Sequence, residues 1–98
     1  MKVKDLNLLP KYYSRNWYSG IDKLGPFSWG DLILEKIDGD KLFLKLCDDI
    51  KGTGEVLSES FKKKEYNKLS GEEKKKINDI FSNNIDKTIK EILEIDFI

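Results

Sequence analysis

The stretch GDLILEKIDGDKLFLKLCDD, Gly30 to Asp49, leaves this chain few ways to fold. Two runs rich in aliphatic residues, Asp31–Ile37 and Lys41–Cys47, flank Asp38-Gly39-Asp40. A short Gly-containing connection between two such runs is the mark of a β-hairpin. Side chains on a strand alternate between its faces, so Leu42, Leu44 and Leu46 share one. A three-residue loop pairs Ile37 with Lys41. It sets Leu34 against Leu44, Leu32 against Leu46, and the Lys36 stem against Leu42. A two-residue loop would put Glu35 and Asp31 on the leucine face, so the three-residue loop is the expectation. The other face then holds Ile33, Glu35, Ile37, Phe43, Lys45 and Cys47. It is half apolar, and the N-terminal aromatic segment is the candidate to cover it.

The C-terminal third reads differently. Ser70-Gly71-Glu72-Glu73 has the form of a capping box, in which serine and glutamate satisfy each other's backbone amides at a helix start. Ile77, Ile80, Phe81, Ile85, Ile89, Ile92 and Leu93 follow at steps of three and four, the spacing of one helical face. Ser82-Asn83-Asn84 interrupts the pattern, so the expectation is one bent helix over 71–94 or two pieces. Between hairpin and helix, Gly52-Thr53-Gly54 marks a turn, and residues 55–61 fit a third strand or a helical start. Residues 5–30 are punctuated by Pro10, Gly20, Gly25, Pro26 and Gly30 and fit short strands and turns.

These signals describe an α+β chain: a small antiparallel β-sheet of three to five strands, centred on hairpin 31–47 and packed against a C-terminal amphipathic helix. At 98 residues it makes a single domain, 1–98, mainly β and irregular over 1–60 and mainly helical over 61–98. The N-terminal MKVKDLNLLP lacks the apolar run of a signal peptide. No window has the length of apolar sequence that spans a bilayer. The expected location is the cytoplasm. The single cysteine, Cys47, excludes an intrachain disulfide.

There is no histidine. That removes the usual neutral-pH acid–base group, the Cys/His zinc sites and the Ser–His and Cys–His nucleophile pairs. Asp38-Gly39-Asp40 lacks the further ligands of a calcium loop, and Gly52-Thr53-Gly54 lacks the Lys-Ser/Thr ending of a phosphate loop. The reading is therefore no enzyme, no catalytic residue, no metal and no cofactor.

What remains is binding. Lys and Arg balance Asp and Glu at 18 each. The signs come in blocks: 1–30 and 61–76 are positive, 31–60 and 77–98 negative. The segment KYYSRNWYSG interleaves Tyr12, Tyr13, Trp17 and Tyr18 with Lys11 and Arg15. Trp17 and Trp29 read as core. Tyr12, Tyr13, Tyr18 and Arg15 read as a contact patch, because tyrosine and arginine favour interfaces. Lys62-Lys63-Lys64 and Lys74-Lys75-Lys76 bracket Tyr66, and lysines at a helix start oppose its dipole. The expected partner-binding residues are Tyr12, Tyr13, Arg15, Tyr18, Lys62, Lys63, Lys64 and Tyr66.

The function expected from this is that of a small protein-binding module, an inhibitor, antagonist or immunity-type factor of the kind phages and mobile elements carry. Its partner would be another protein, and the chain itself a monomer or homodimer. One alternative is nucleic-acid binding through the aromatic-basic segment and the lysine runs, which zero net charge disfavours. Another is an oligomeric domain that sequesters a small anionic ligand such as a nucleotide.

Overall fold

The computed structural model describes residues 1–10, 13–14, 26–27, 29–46 and 56–98, with only the backbone described at 13–14, 26–27, 46 and 56–57. Eight elements are named in chain order. Strands β1 (Tyr13–Ser14) and β2 (Pro26–Phe27) form a short antiparallel pair. Strands β3 (Leu32–Asp38), β4 (Lys41–Leu46) and β5 (Val56–Ser60) form an antiparallel sheet in that order. Helices α1 (Lys63–Asn67), α2 (Gly71–Ser82) and α3 (Ile89–Leu93) follow. Single 3₁₀ turns occupy Val3–Leu6 and Trp29–Asp31. The chain is α+β, as its patterning requires. Residues 56–60 are a strand, and the C-terminal helix is in two pieces.

The hairpin departs from the expected ladder. Asp38 pairs with Lys41, Ile37 with Leu42 and Lys36 with Phe43, so the loop has two residues rather than three. Gly39 has a φ of +65°, which glycine adopts without steric cost. The register then shifts between Leu34 and Lys36, and Leu34 faces Leu44 and Leu32 faces Leu46 as expected. A β-bulge at Glu35 reconciles the two. Its extra residue lets a tight turn coexist with leucines on one face. Ile37 therefore packs against the core rather than on the opposite face. Lys36 turns away from Leu42, and its amine lies 4.6 Å from the Phe43 ring centre.

The core joins this leucine face to the helices. Leu32, Leu34, Leu42 and Leu44 are buried with Phe61, Ile77, Phe81, Ile89, Ile92 and Phe97, and Val3, Leu8, Leu9 and Trp29 extend the cluster. Both α2 and α3 pack on β3. Trp29 is core, as expected, and its indole N–H donates to the Pro10 carbonyl. Trp17, Cys47 and the Gly52–Gly54 turn lie outside the described residues.

Capping boxes define both major helix starts. The Ser70 hydroxyl accepts from Glu73 N–H at 3.1 Å, and Glu73 accepts from Ser70 N–H at 2.9 Å. The same arrangement links Thr88 and Glu91. Between the helices, Asn84 folds its amide onto the Ile80 carbonyl at 2.6 Å. The residues after this break dock on β3: Leu34 N–H donates to the Lys87 carbonyl at 3.0 Å, and Asp86 N–H to the Leu34 carbonyl at 2.8 Å. The chain's two ends pair too, through Val3 N–H to Ile95 carbonyl at 2.9 Å and Phe97 N–H to Met1 carbonyl at 2.8 Å.

Candidate interaction surface

Where β5 ends, Phe61 drops into the core and the chain turns into α1. Tyr66, five residues on, stacks over Phe61 with ring centres 5.2 Å apart. Phe61 meets Phe81 edge to face at 5.1 Å. Aromatic pairs in these geometries add to what burial alone supplies. The Asn78 amide donates to the Tyr66 hydroxyl at 3.2 Å, which ties α1 to α2. The Lys74 amine stands 5.4 Å from the centre of the Tyr66 ring. Tyr66 is thus half-buried, with one ring face on the core and Lys74 above it.

The lysine run on α2 does not form one patch. Successive residues on a helix point about 100° apart. Lys74 lies over Tyr66, Lys76 over Phe97 at 5.0 Å, and Lys75 projects outward, exposed. Long stems covering aromatic rings while the amines stay wet explain two of the three. The conflict with the helix dipole also dissolves. The run starts at the fourth helical position, and Glu72 and Glu73 fill the first turn where anions are favoured.

Of the other run, Lys62 is half-buried at the start of α1, and its N–H donates to the Leu8 carbonyl at 2.6 Å. Lys63 and Lys64 are exposed, and no ion pair engages them among the described residues. The structure therefore brings Lys63, Lys64, Tyr66, Lys74 and Lys75 onto two adjoining helices. Of the aromatic segment, only the Tyr13 backbone is described, paired with Phe27. Tyr12, Arg15 and Tyr18 lie outside the described residues.

Titration is perturbed elsewhere, and for structural ends. Hydrogen bonds from the amines of Lys2 and Lys4, at 2.8 and 2.9 Å, hold the Glu94 carboxyl down at about 2. The same bond, with the charge of Glu94, raises Lys2. Glu91 is lowered by the Thr88 hydroxyl and then by the Thr88 backbone amide. Glu91 and Glu94 are exposed, and Lys2 is half-buried with its side chain 45% exposed. A cleft of about 160 Å³ lies beside Glu72, Glu73, Lys76, Phe97 and Ile98. Its Glu73 is already committed to the cap of α2. A second, of about 210 Å³, lies between Leu8, Leu9, Pro10, Trp29 and Leu93, with Lys4 and Asn7 at its edge.

Among the described residues no polar or charged residue is fully buried, though the Asn78 Oδ1 is buried without a hydrogen-bond partner, and no cluster of Cys, Asp and Glu is placed to hold a metal. No described helix is long and apolar enough to cross a membrane. No family model, curated protein or solved structure matches this chain.

The second capping box, Thr88-Ile89-Lys90-Glu91, is a site feature that the sequence carries in the same form as the first. The outer edge of β5 was not legible, because strand order is decided by pairing across the sheet.

Proposed function

We propose that this chain is a protein-binding domain with no catalytic activity of its own, a cytoplasmic inhibitor, antagonist or immunity-type factor. The observation that carries the reading is the pair of adjoining helices α1 and α2. They present Lys63, Lys64 and Lys75 to solvent, and Lys74 lies over Tyr66, a residue anchored by Phe61 and Asn78. An anchored aromatic with cations on the same two helices suits a partner's acidic surface, where charge sets partner choice and association rate. The fan of Lys74, Lys75 and Lys76 about α2 gives less support to a nucleic-acid stripe, which needs lysines aligned along a backbone.

The test is a native mass spectrum of the protein purified gently from its host, run beside the variant Lys63→Glu/Lys64→Glu/Lys75→Glu. The expected result is a bound protein whose affinity for the variant falls at least about tenfold, some 1.4 kcal/mol. Titration with single- and double-stranded oligonucleotides at low salt is the second arm. Binding there that weakens steeply with salt, with no protein partner retained, would overturn the reading in favour of nucleic acid.

A further inference from the structure

The two edges of the three-stranded sheet are finished differently. The outer edge of β3 is covered: Leu34 exchanges backbone hydrogen bonds with Asp86 and Lys87, and Ile33 bridges to Thr88. Among the described residues, nothing covers the outer edge of β5. Phe61 N–H donates to the Asp40 carbonyl at 3.1 Å, and that bond sets the alternation along the strand. Leu57 and Glu59 turn their backbone groups toward β4, so Val56, Ser58 and Ser60 turn theirs outward. Among the described residues no backbone group meets them. Ser58 is exposed. The Ser60 N–H is met only by the carboxylate of neighbouring Glu59, at 3.3 Å, where a partner strand's carbonyl would stand. Backbone pairing resumes at Lys62, which bonds Leu8.

We propose that the β5 edge, Val56–Ser60, accepts an extended acidic segment of a partner protein as a fourth strand. This rests on the protein-binding reading above and names how the partner is held. Exposed edges usually carry a charge, a proline or a bulge that discourages pairing, and along its five residues β5 carries only one of these, Glu59, on the face opposite Ser58 and Ser60. Glu59 occupies the amide of Ser60 until a backbone acceptor replaces it. The charge around the window selects an acidic occupant. The edge runs straight into Lys62, Lys63 and Lys64, and exposed Lys41 lies opposite Ser60 in the ladder. Ser60 is short, so a carboxylate on the incoming strand can reach over it toward Lys41. Of the nearby carboxylates, Asp38 sits one strand further from the edge, beyond Lys41, and Glu65 is paired with Lys68 at 3.2 Å, while Asp40, whose carbonyl bonds Phe61 N–H, stands beside Lys41 at the turn and offsets part of its charge against Lys62, Lys63 and Lys64. Glu59 lies on the face away from Lys41, so the acidic residues belong at alternate positions, on the serine side. Strand addition of this kind draws affinity from backbone bonds and specificity from alternate side chains.

The probe is a short fluorescein-labelled peptide in which Glu alternates with Thr, compared with its Lys–Thr counterpart. A third peptide is the Glu–Thr sequence methylated on the alternate backbone amides that would meet β5. Anisotropy reads affinity, and ¹⁵N spectra with hydrogen exchange read the Ser58 and Ser60 amides. The Glu–Thr peptide is expected to shift and protect both amides and to bind at least about tenfold tighter than the Lys–Thr peptide. Backbone methylation should abolish binding, and Lys63→Glu/Lys64→Glu should remove the preference for Glu. Ser58→Pro should lose the peptide while keeping its fold, since the Ser58 N–H takes no part in the ladder to β4. Undisturbed Ser58 and Ser60 amides at millimolar peptide overturn the proposal. So does equal binding of the methylated peptide, which would leave charge alone as the attraction. Protection of Ser58 that rises with protein concentration and without peptide would assign the edge to a second copy of the chain instead. If a correctly folded Ser58→Pro variant still holds the host protein while the lysine variant loses it, the protein-binding reading stands and strand addition falls.

Discussion

Hairpin β3–β4 and helix α2 supply facing halves of the same core, yet they specify it in different ways. In α2 the positions of Ile77 and Phe81 follow from local geometry. Residues four apart lie on one face of any α-helix, so both are buried side by side. In the hairpin the face on which Ile37 lies depends on the strand opposite and on a bulge between Leu34 and Lys36. Changing the pairing register by one residue reverses every side chain. The helix thus has a rigid phase that tolerates no change of count. The hairpin has a phase that its partner strand and one spare residue can adjust.

Single-residue deletions should break this symmetry most sharply. Removing exposed Asp79 turns everything after it by about 100° relative to Ile77, carrying Phe81 off the core face. The protein should fail to fold cooperatively, as read by circular dichroism and thermal melting. Phe81→Ala keeps the phase and empties the site. It should cost about 3–5 kcal/mol, measured by denaturant unfolding, because Phe61 loses its edge-to-face neighbour as well. If it melts within a degree or two of the parent, the helical half of the core is not what holds the sheet.

Removing Glu35 should do far less than removing Asp79. It joins Leu34–Leu44 directly to Lys36–Phe43 in a regular ladder and deletes no buried side chain. The expected loss is within about 2 kcal/mol, with the far-ultraviolet spectrum unchanged. A loss as large as that of Phe81→Ala would mean the bulge is required for docking Asp86 and Lys87 on β3. Smaller again are the caps. Ser70→Ala and Thr88→Ala should each cost about 1 kcal/mol, and their sum should be additive, since each box is closed on itself.

The smallest effect is electrostatic and reports the pairing of the chain's ends. The Glu94 carboxyl titrates at about 2 in the fold, below its ordinary value of 4.5. Its lowered value means that the unfolded chain binds the proton first. The stabilisation from Glu94 is complete above the ordinary carboxyl range and is lost as pH falls toward about 2. Glu94→Gln should flatten that part of the acid limb of an unfolding curve and leave neutral-pH stability nearly unchanged, as exposed ion pairs contribute little. An unchanged acid limb would show that Lys2 and Lys4 do not hold Glu94 in solution.

The α+β class, the hairpin, the strand-forming leucines and the helix start at Ser70 were all determined by the sequence alone. Each is encoded within a few neighbouring residues: alternation of two, steps of three and four, a Gly in a tight turn, a Ser three before a Glu. The break after Ser82 was also visible, in Ser82-Asn83-Asn84, though its outcome depended on Asn84 folding back onto Ile80. Tertiary structure alone decided the bulge at Glu35, because a register is an agreement between two strands and neither carries it by itself. It alone decided that Lys74 and Lys76 roof Tyr66 and Phe97 while Lys75 does not, since the aromatics come from other elements. And it alone decided that β3 is covered by residues 86–88 while the outer edge of β5 meets no other backbone among the described residues, because which strand lies outermost follows from how the whole chain closes on its core.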